Sequence, residues 1–199
     1  MKVIFLDIDG VMNSNVFYHE RYNKISYRIK RFYYWIISWF RLLFTGSRYK
    51  TYSLANYKPN PKHFEFKYTF NRLVEETDPK KWEWLSELCN ENDYKICISS
   101  VWKNHFKDPR DWHAALSNLG FNGSSIFWGI TPNLKSRIRG EEIAKWLIDN
   151  PKFTQYAIID DDSDMLPEQM SSFFHVDGYY GLTPNTLYRI KRHFNKTTK

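Results

Sequence analysis

Three features of the chain predict an α/β fold built on a mainly parallel sheet flanked by helices. Short apolar runs alternate with amphipathic helical stretches, the pattern of strand–helix–strand units. The longest of these runs, at 2–7, 94–99 and 156–159, each give way to aspartates or serines, and the punctuation between segments is short. Apolar residues make up 42% of 199, enough for one real core with room for an elaboration.

The elements follow in order. Residues 2–7 read as a first strand, ending in "LDIDG". Asp78 and Pro79 form an N-cap and first-turn pair for a helix to about Glu91, with Trp82, Leu85, Leu88 and Cys89 on one face. "YKICIS", 94–99, is a second apolar strand. Asp108 and Pro109 open another helix, which Gly120 closes. A short strand is expected at 125–128. "GEEIAKWLIDN", 140–150, is an amphipathic helix stopped by Pro151. "YAII", 156–159, is a strand that runs into "DDDSD", and 173–176 is a last strand. Thr183 then caps a final helix that starts at Pro184.

Composition narrows the setting. No run of 18 apolar residues occurs, and the chain opens on a strand pattern and not on a charged, then apolar, leader, so a soluble, unexported protein is expected. Cys89 and Cys97 lack the spacing of a zinc site or a disulfide framework, which points to a reduced, cytoplasmic location. The net charge of +7 is unevenly distributed. Residues 12–77 hold twelve bases against four acids, while the remainder holds seventeen against eighteen. A tail from Arg189 to Lys199 carries five bases and no acid.

In an open parallel sheet, ligands bind beyond the carboxyl ends of the strands, where the loops converge. Asp7 and Asp9, Ser99 and Ser100, and the acids from Asp160 to Asp164 all follow such ends. Carboxylates gathered in one crevice repel one another unless a cation is bound, and hard oxygen ligands suit Mg²⁺. The run at 160–164 lacks the glycine and distal glutamate of an EF-hand loop. One carboxylate can attack phosphorus while a second, two residues on, protonates the leaving oxygen and later activates water. Alternation would send Asp9 to the same face as Asp7, along a strand, so its different task requires the strand to have broken by then; Gly10 permits the break. A phosphoryl group also needs hydroxyl and cationic donors. Ser99 is the candidate hydroxyl with Ser100 as alternative, and Lys135, Arg137 and Arg139 are the candidate cations. Trp102 and Trp128, next to these segments, line the crevice or fill the core.

"DIDGV", a serine closing an apolar strand, a base ahead of a helix, and "IIDDDSD" resemble, in that order, the four motifs of the haloacid dehalogenase (HAD) superfamily in its phosphatase form. "ISSVWK", "TPNLKSRIRGEEIAKWL", "AIIDDDSDM" and "GLT" resemble more closely the HAD domain of Swiss Army Knife RNA repair proteins. The phosphatase domain of phage polynucleotide kinase-phosphatase is similar at a greater distance. The resemblance covers about 1–11 and 78–190 and implies a HAD-like Rossmannoid core (1–11 and 78–199) with an inserted cap at 12–77. It implies that Asp7 is nucleophile and magnesium ligand, and that Asp9 is acid/base with its carbonyl on the metal. It implies further that Ser99 or Ser100 binds phosphate, that Arg139 or else Lys135 is the third-motif base, and that Asp160 and Asp161 complete the metal site. Gly10 and Trp102 are expected beside the substrate, and Asp164 matches a variant of the fourth motif.

The inserted segment is basic and aromatic, notably "YRIKRFYYWIISWFRLLF" at 27–44 and "RYKTYSLANYKP" at 48–59. Bases track phosphates and rings stack on unpaired bases, which suits a phosphorylated nucleic-acid end or a nucleotide. Ile25, Ile29, Phe32, Ile36, Phe40 and Leu43 also recur at helical spacing, widened by Trp35 and Trp39, so the second reading of 25–44 is self-association and the third is contact with an anionic membrane surface. The expected activity is removal of a terminal 3′-phosphate. Alternatives are a phosphatase of mononucleotides or other small phosphate esters, or a nucleic-acid- or membrane-binding module on an inactive HAD scaffold.

Overall fold

The computed structural model describes residues 1–23, 61–106, 108–121 and 126–196, with 22–23, 61–66 and 109 as backbone alone. The stripe from Ile25 to Leu43 and the aromatic, basic stretches around it lie outside the described residues. Five strands form the sheet: β1 (Lys2–Leu6), β2 (Lys95–Ile98), β3 (Phe127–Ile130), β4 (Gln155–Asp160) and β5 (Phe173–His175). They lie in the order β3-β2-β1-β4-β5, and every pairing is parallel. Around them lie α1 (Asn15–Asn23), α2 (Pro61–Glu76), α3 (Pro79–Asn92), α4 (Pro109–Asn118), α5 (Arg139–Asp149) and α6 (Pro184–Lys196).

Central strands of a parallel sheet are covered on both faces, hence near-continuous apolar runs. Val3 to Leu6 are fully buried, and alternation divides them between two cores. Ile4, Leu6, Ile96, Ile98 and Ile159 face a larger core with Trp82 of α3, Trp112 of α4, and Ile190 and Phe194 of α6. Val3, Phe5, Cys97 and Ile158 face a smaller one with Ile143 and Trp146 of α5. The Phe5 and Trp146 rings meet edge to face at 5.2 Å, a geometry favoured by ring quadrupoles. Carried one step past β1 and β2 and to the last residue of β4, the same parity sends Asp7, Ser99 and Asp160 to the α5 side. That alternation is what gathers the site.

The helix starts follow the capping chemistry in the sequence. Asp78 accepts from Lys80 N at 2.9 Å, Asp108 from Arg110 N at 2.9 Å, and Thr183 Oγ1 from Thr186 N at 3.2 Å. Strand β3 departs from expectation, lying two residues later than 125–128. Gly129, one residue past the expected strand, sits inside the ladder opposite Cys97 with φ +146°, a backbone conformation that favours glycine. Met12 and Leu73, near the two ends of the basic stretch 12–77, are fully buried in the larger core, and Asp78 N donates to Met12 O at 2.9 Å. Among the described residues, no helix is long and apolar enough to cross a membrane.

Candidate active site

Asp7 is the first residue past β1 and Asp160 the last of the neighbouring β4; both are buried. Carboxylate oxygens of Asp7, Asp160 and half-buried Asp161 all lie within 4.8 Å of one another. Burial, and next the charge of Asp160, push the Asp7 carboxyl up to about 8 against the opposing pull of Arg139 and the Ser100 hydroxyl. Burial also raises Asp160, to about 7, although Arg139 and the Asp162 amide oppose it. Desolvation outweighs the nearby guanidinium, so both carboxyls bind protons more tightly than free ones. Asp160 Oδ2 is buried without a hydrogen bond. An all-oxygen donor set with a buried carboxylate oxygen that accepts no hydrogen bond fits a hard divalent cation such as Mg²⁺.

Arg139, the first residue of α5, reaches into this cluster. Its Nη2 lies 3.4 Å from Asp7 Oδ1 and its Nε 3.4 Å from Asp160 Oδ2, while Nη1 donates to the Ser99 carbonyl. The helix start is held by Asp164, whose Oδ2 accepts from Arg139 N at 2.8 Å and whose carbonyl accepts from Gly140 N at 3.1 Å. A carboxylate there satisfies an orphan amide and complements the helix dipole. Asp164, in the loop after β4, thus holds the start of the helix that carries Arg139 and stands outside the three-carboxylate group. Lys135 is exposed in the preceding turn and makes no hydrogen bond or ion pair with the carboxylates; Arg137 is likewise exposed.

Two serines close β2. Ser99 Oγ is buried with no hydrogen-bond partner, leaving a donor unused on the α5 side. Ser100 hydrogen-bonds Asp7 and also caps the short turn at 101–104, accepting from Trp102 N at 3.4 Å. Both candidates therefore stand at the cluster.

Asp9 is exposed, in the loop after β1, and its carboxylate is not one of the three gathered oxygens. Its Oδ1 accepts from Asn13 Nδ2 at 2.7 Å and from Trp102 Nε1 at 3.0 Å. Asn13 Oδ1 in turn accepts from Gly10 N at 2.7 Å, which ties the loop to its own side chain. Trp102 is buried under the Arg72 guanidinium, 5.2 Å from the ring centroid, and stacks on His105 at 4.8 Å. The crevice reading of Trp102 becomes a more specific one: it orients Asp9. Trp128 instead packs edge-on to Phe153, 5.6 Å away beside the smaller core.

Gly10 has φ +67°, and a Cβ there would fall 2.0 Å from Asp161 Oδ2; one on Gly178 would fall 2.6 Å from the same atom. Asp161 is thus clasped between two loop backbones, a close approach only glycine allows. Gly10→Ala is expected to displace Asp161 and lower turnover about 100-fold, the scale of a 1 Å misplacement. Phosphate release at saturating Mg²⁺ measures it, and near-normal turnover would contradict this clasp.

Lys103, Glu142 and Asn13 carry functions that local sequence did not disclose. Lys103 Nζ donates to Glu142 Oε2 at 2.6 Å, Thr131 Oγ1 at 3.1 Å and Pro132 O at 3.0 Å, joining the ends of β2 and β3 to α5. Burial lowers the Lys103 ammonium from its ordinary value despite Glu142. Lys103→Met strands Glu142 and is expected to destabilise by about 3–5 kcal/mol, whereas Lys103→Met with Glu142→Leu loses much less. Urea denaturation of the two variants distinguishes them; equal losses would show that the pair is not the source. The signal available was the lysine closing "ISSVWK", four residues after Ser99.

A parallel sheet with aspartates leaving its central strand and a cation entering from the next helix face defines the HAD class of α/β proteins. The chain belongs to the family of the HAD domain in Swiss Army Knife RNA repair proteins, whose model it matches over residues 3–187. No curated protein and no solved structure matches it. Membership implies phosphatase-type hydrolase chemistry.

Proposed function

We infer that the chain is a Mg²⁺-dependent phosphomonoesterase that works through an aspartyl-phosphate and removes a terminal 3′-phosphate from a nucleic-acid end. The observation that carries this reading is the gathering of Asp7, Asp160 and Asp161 beside Arg139 and the two serines. An Asp7 oxygen attacks phosphorus as the bond to the leaving oxygen breaks, and Asp9 gives that oxygen a proton. Asp9 then takes a proton from water; the water oxygen attacks phosphorus, the bond to Asp7 breaks, and inorganic phosphate leaves. Asn13 and Trp102 occupy Oδ1 of Asp9, so Oδ2 is the atom available to move the proton. Arg139 and Ser99 or Ser100 hold the equatorial oxygens. Asp7, Asp160 and Asp161, with the Asp9 carbonyl, would hold Mg²⁺, which supplies charge neutralisation for the phosphoryl oxygens.

The nucleic-acid part rests on the family's RNA repair description and on the basic, aromatic composition of 12–77. Phosphate release from 3′-phosphorylated oligonucleotides, mononucleotides and p-nitrophenyl phosphate, with Mg²⁺ or chelator, tests it. Oligonucleotides are expected to be the best substrates and chelation to stop all three reactions. Preference for mononucleotides would move the substrate to small esters, and Mg²⁺-independent turnover would remove the metal from the reading.

A further inference from the structure

A second basic feature lies far from the carboxylates. Ser171, Phe174, Arg189, Arg192, His193 and Lys196 line a groove of about 290 Å³ between α6 and the turn leading into β5. Its position follows from the parallel strands. Ser171 precedes β5, and His193 Nε2 meets Tyr156 O near the start of β4, at 3.1 Å. Asp160 ends that strand four residues later, about 13 Å away at the usual rise. The groove is also on the α6 face, where Ile190 and Phe194 enter the larger core, whereas Arg139 approaches from the α5 face.

Among the described residues, no carboxylate compensates the charge of this groove. Arg189, Arg192 and Lys196 fall at helical spacing on one exposed side of α6, and no acidic side chain lines the groove. Lys191, outside the groove, pairs with Glu91 at 3.3 Å, but no carboxylate among the described residues pairs with the three groove bases. Bases near a helix C-terminus complement its dipole, yet that effect is confined to the last turn and leaves Arg189 unexplained. Arg189 lies over the Phe174 ring at 5.5 Å and Arg192 over exposed Tyr188 at 5.8 Å. A stacked guanidinium keeps its N–H edges free, and those edges match phosphate oxygens. Ser171 adds an exposed hydroxyl, the type of donor that binds phosphates without reading sequence.

We propose that this groove is an accessory binding site for the phosphate backbone of a single-stranded nucleic acid, holding a strand remote from the reacting end. A strand is favoured over a lone anion because the three bases are strung along about two turns of an exposed helix face, and not closed around one point. The inference shares with the proposed function only its class of ligand and none of its chemistry.

The test is anisotropy of a labelled single-stranded oligonucleotide ending in a 3′-hydroxyl, which offers no terminal phosphate to the carboxylate site. Arg189→Glu with Arg192→Glu is expected to weaken binding at least about tenfold. It should also flatten the dependence of log affinity on log salt by about 0.7 for each phosphate that the variant no longer neutralises. Ser171→Glu, on an exposed turn, should weaken binding in the same sense, and serves if the double variant fails to fold. Hydrolysis of p-nitrophenyl phosphate, read in parallel, should be unchanged because the groove is on the far face. Unaltered oligonucleotide affinity in the variants overturns the proposal. So does groove-dependent binding to phosphatidylserine vesicles without any effect on oligonucleotides. Wild-type protein that binds oligonucleotide but hydrolyses no ester would leave the groove standing and remove the catalytic reading.

Discussion

On the proposed mechanism, Asp7→Asn is expected to abolish phosphate release, by about 10⁴-fold or more, because an amide cannot take over the attack of a carboxylate and little else in the site can substitute. The same variant is expected to be more stable than the parent protein in chelator at alkaline pH. The sign follows from linkage. The Asp7 carboxyl is raised from 3.8 to about 8 in the fold, so the folded chain binds more protons than the unfolded one across that interval. Stability from this group is fully present below the ordinary carboxylate value and is lost as pH rises through the raised one. The metal-free protein should therefore weaken between about pH 4 and about pH 8, on the order of a few kcal/mol for Asp7 and Asp160 taken as a pair. The Asn variant, lacking one ionisation, should show a shallower decline. Added Mg²⁺ should raise the melting temperature of the parent most at the alkaline end and that of Asp7→Asn least. Thermal melts across this range, with chelator and with Mg²⁺, measure all of it. A parent protein that gains stability with rising pH in chelator would show that the carboxylates are not held together as described.

The strands were legible because their apolar runs are both continuous and bounded: Lys2–Leu6, Lys95–Ile98 and Gln155–Asp160 lie where the pattern puts them. Continuity also hid something. An unbroken run does not say which residues face which core, yet that parity decides that Asp7, Ser99 and Asp160 share the α5 side. Capping pairs such as Asp78-Pro79 were readable because cap chemistry is local. The bond from Trp102 to Asp9 was not readable, since the two are neighbours in space only. Asn13, Lys103 and Glu142 belong to the same class, polar residues whose partners lie across a loop or on another element. Arg139 over Lys135 is likewise a matter of three dimensions: both precede or begin α5, but only the first residue of the helix projects between the carboxylates.

That projection makes Arg139→Ala the second large perturbation. Its guanidinium is the cation opposing burial at both Asp7 and Asp160, so its removal raises both carboxyls further and leaves the Ser99 carbonyl without its donor. Turnover is expected to fall about 10²–10³-fold, the range for losing one preorganised donor to a developing charge. Arg139→Lys should recover only part of this, because an ammonium cannot span two acceptors as a planar fork does. Stability should fall by about 3–5 kcal/mol where both carboxylates would be ionised, the scale for leaving a buried charge uncompensated. In acid the pair takes up protons and the loss should shrink, so the gap between parent and variant melts widens with pH. Mg²⁺ should narrow that gap, since a divalent cation supplies the charge that the arginine no longer provides. A pH-independent gap, or one that Mg²⁺ leaves unchanged, would mean that Arg139 acts through packing and not through the carboxylates it faces.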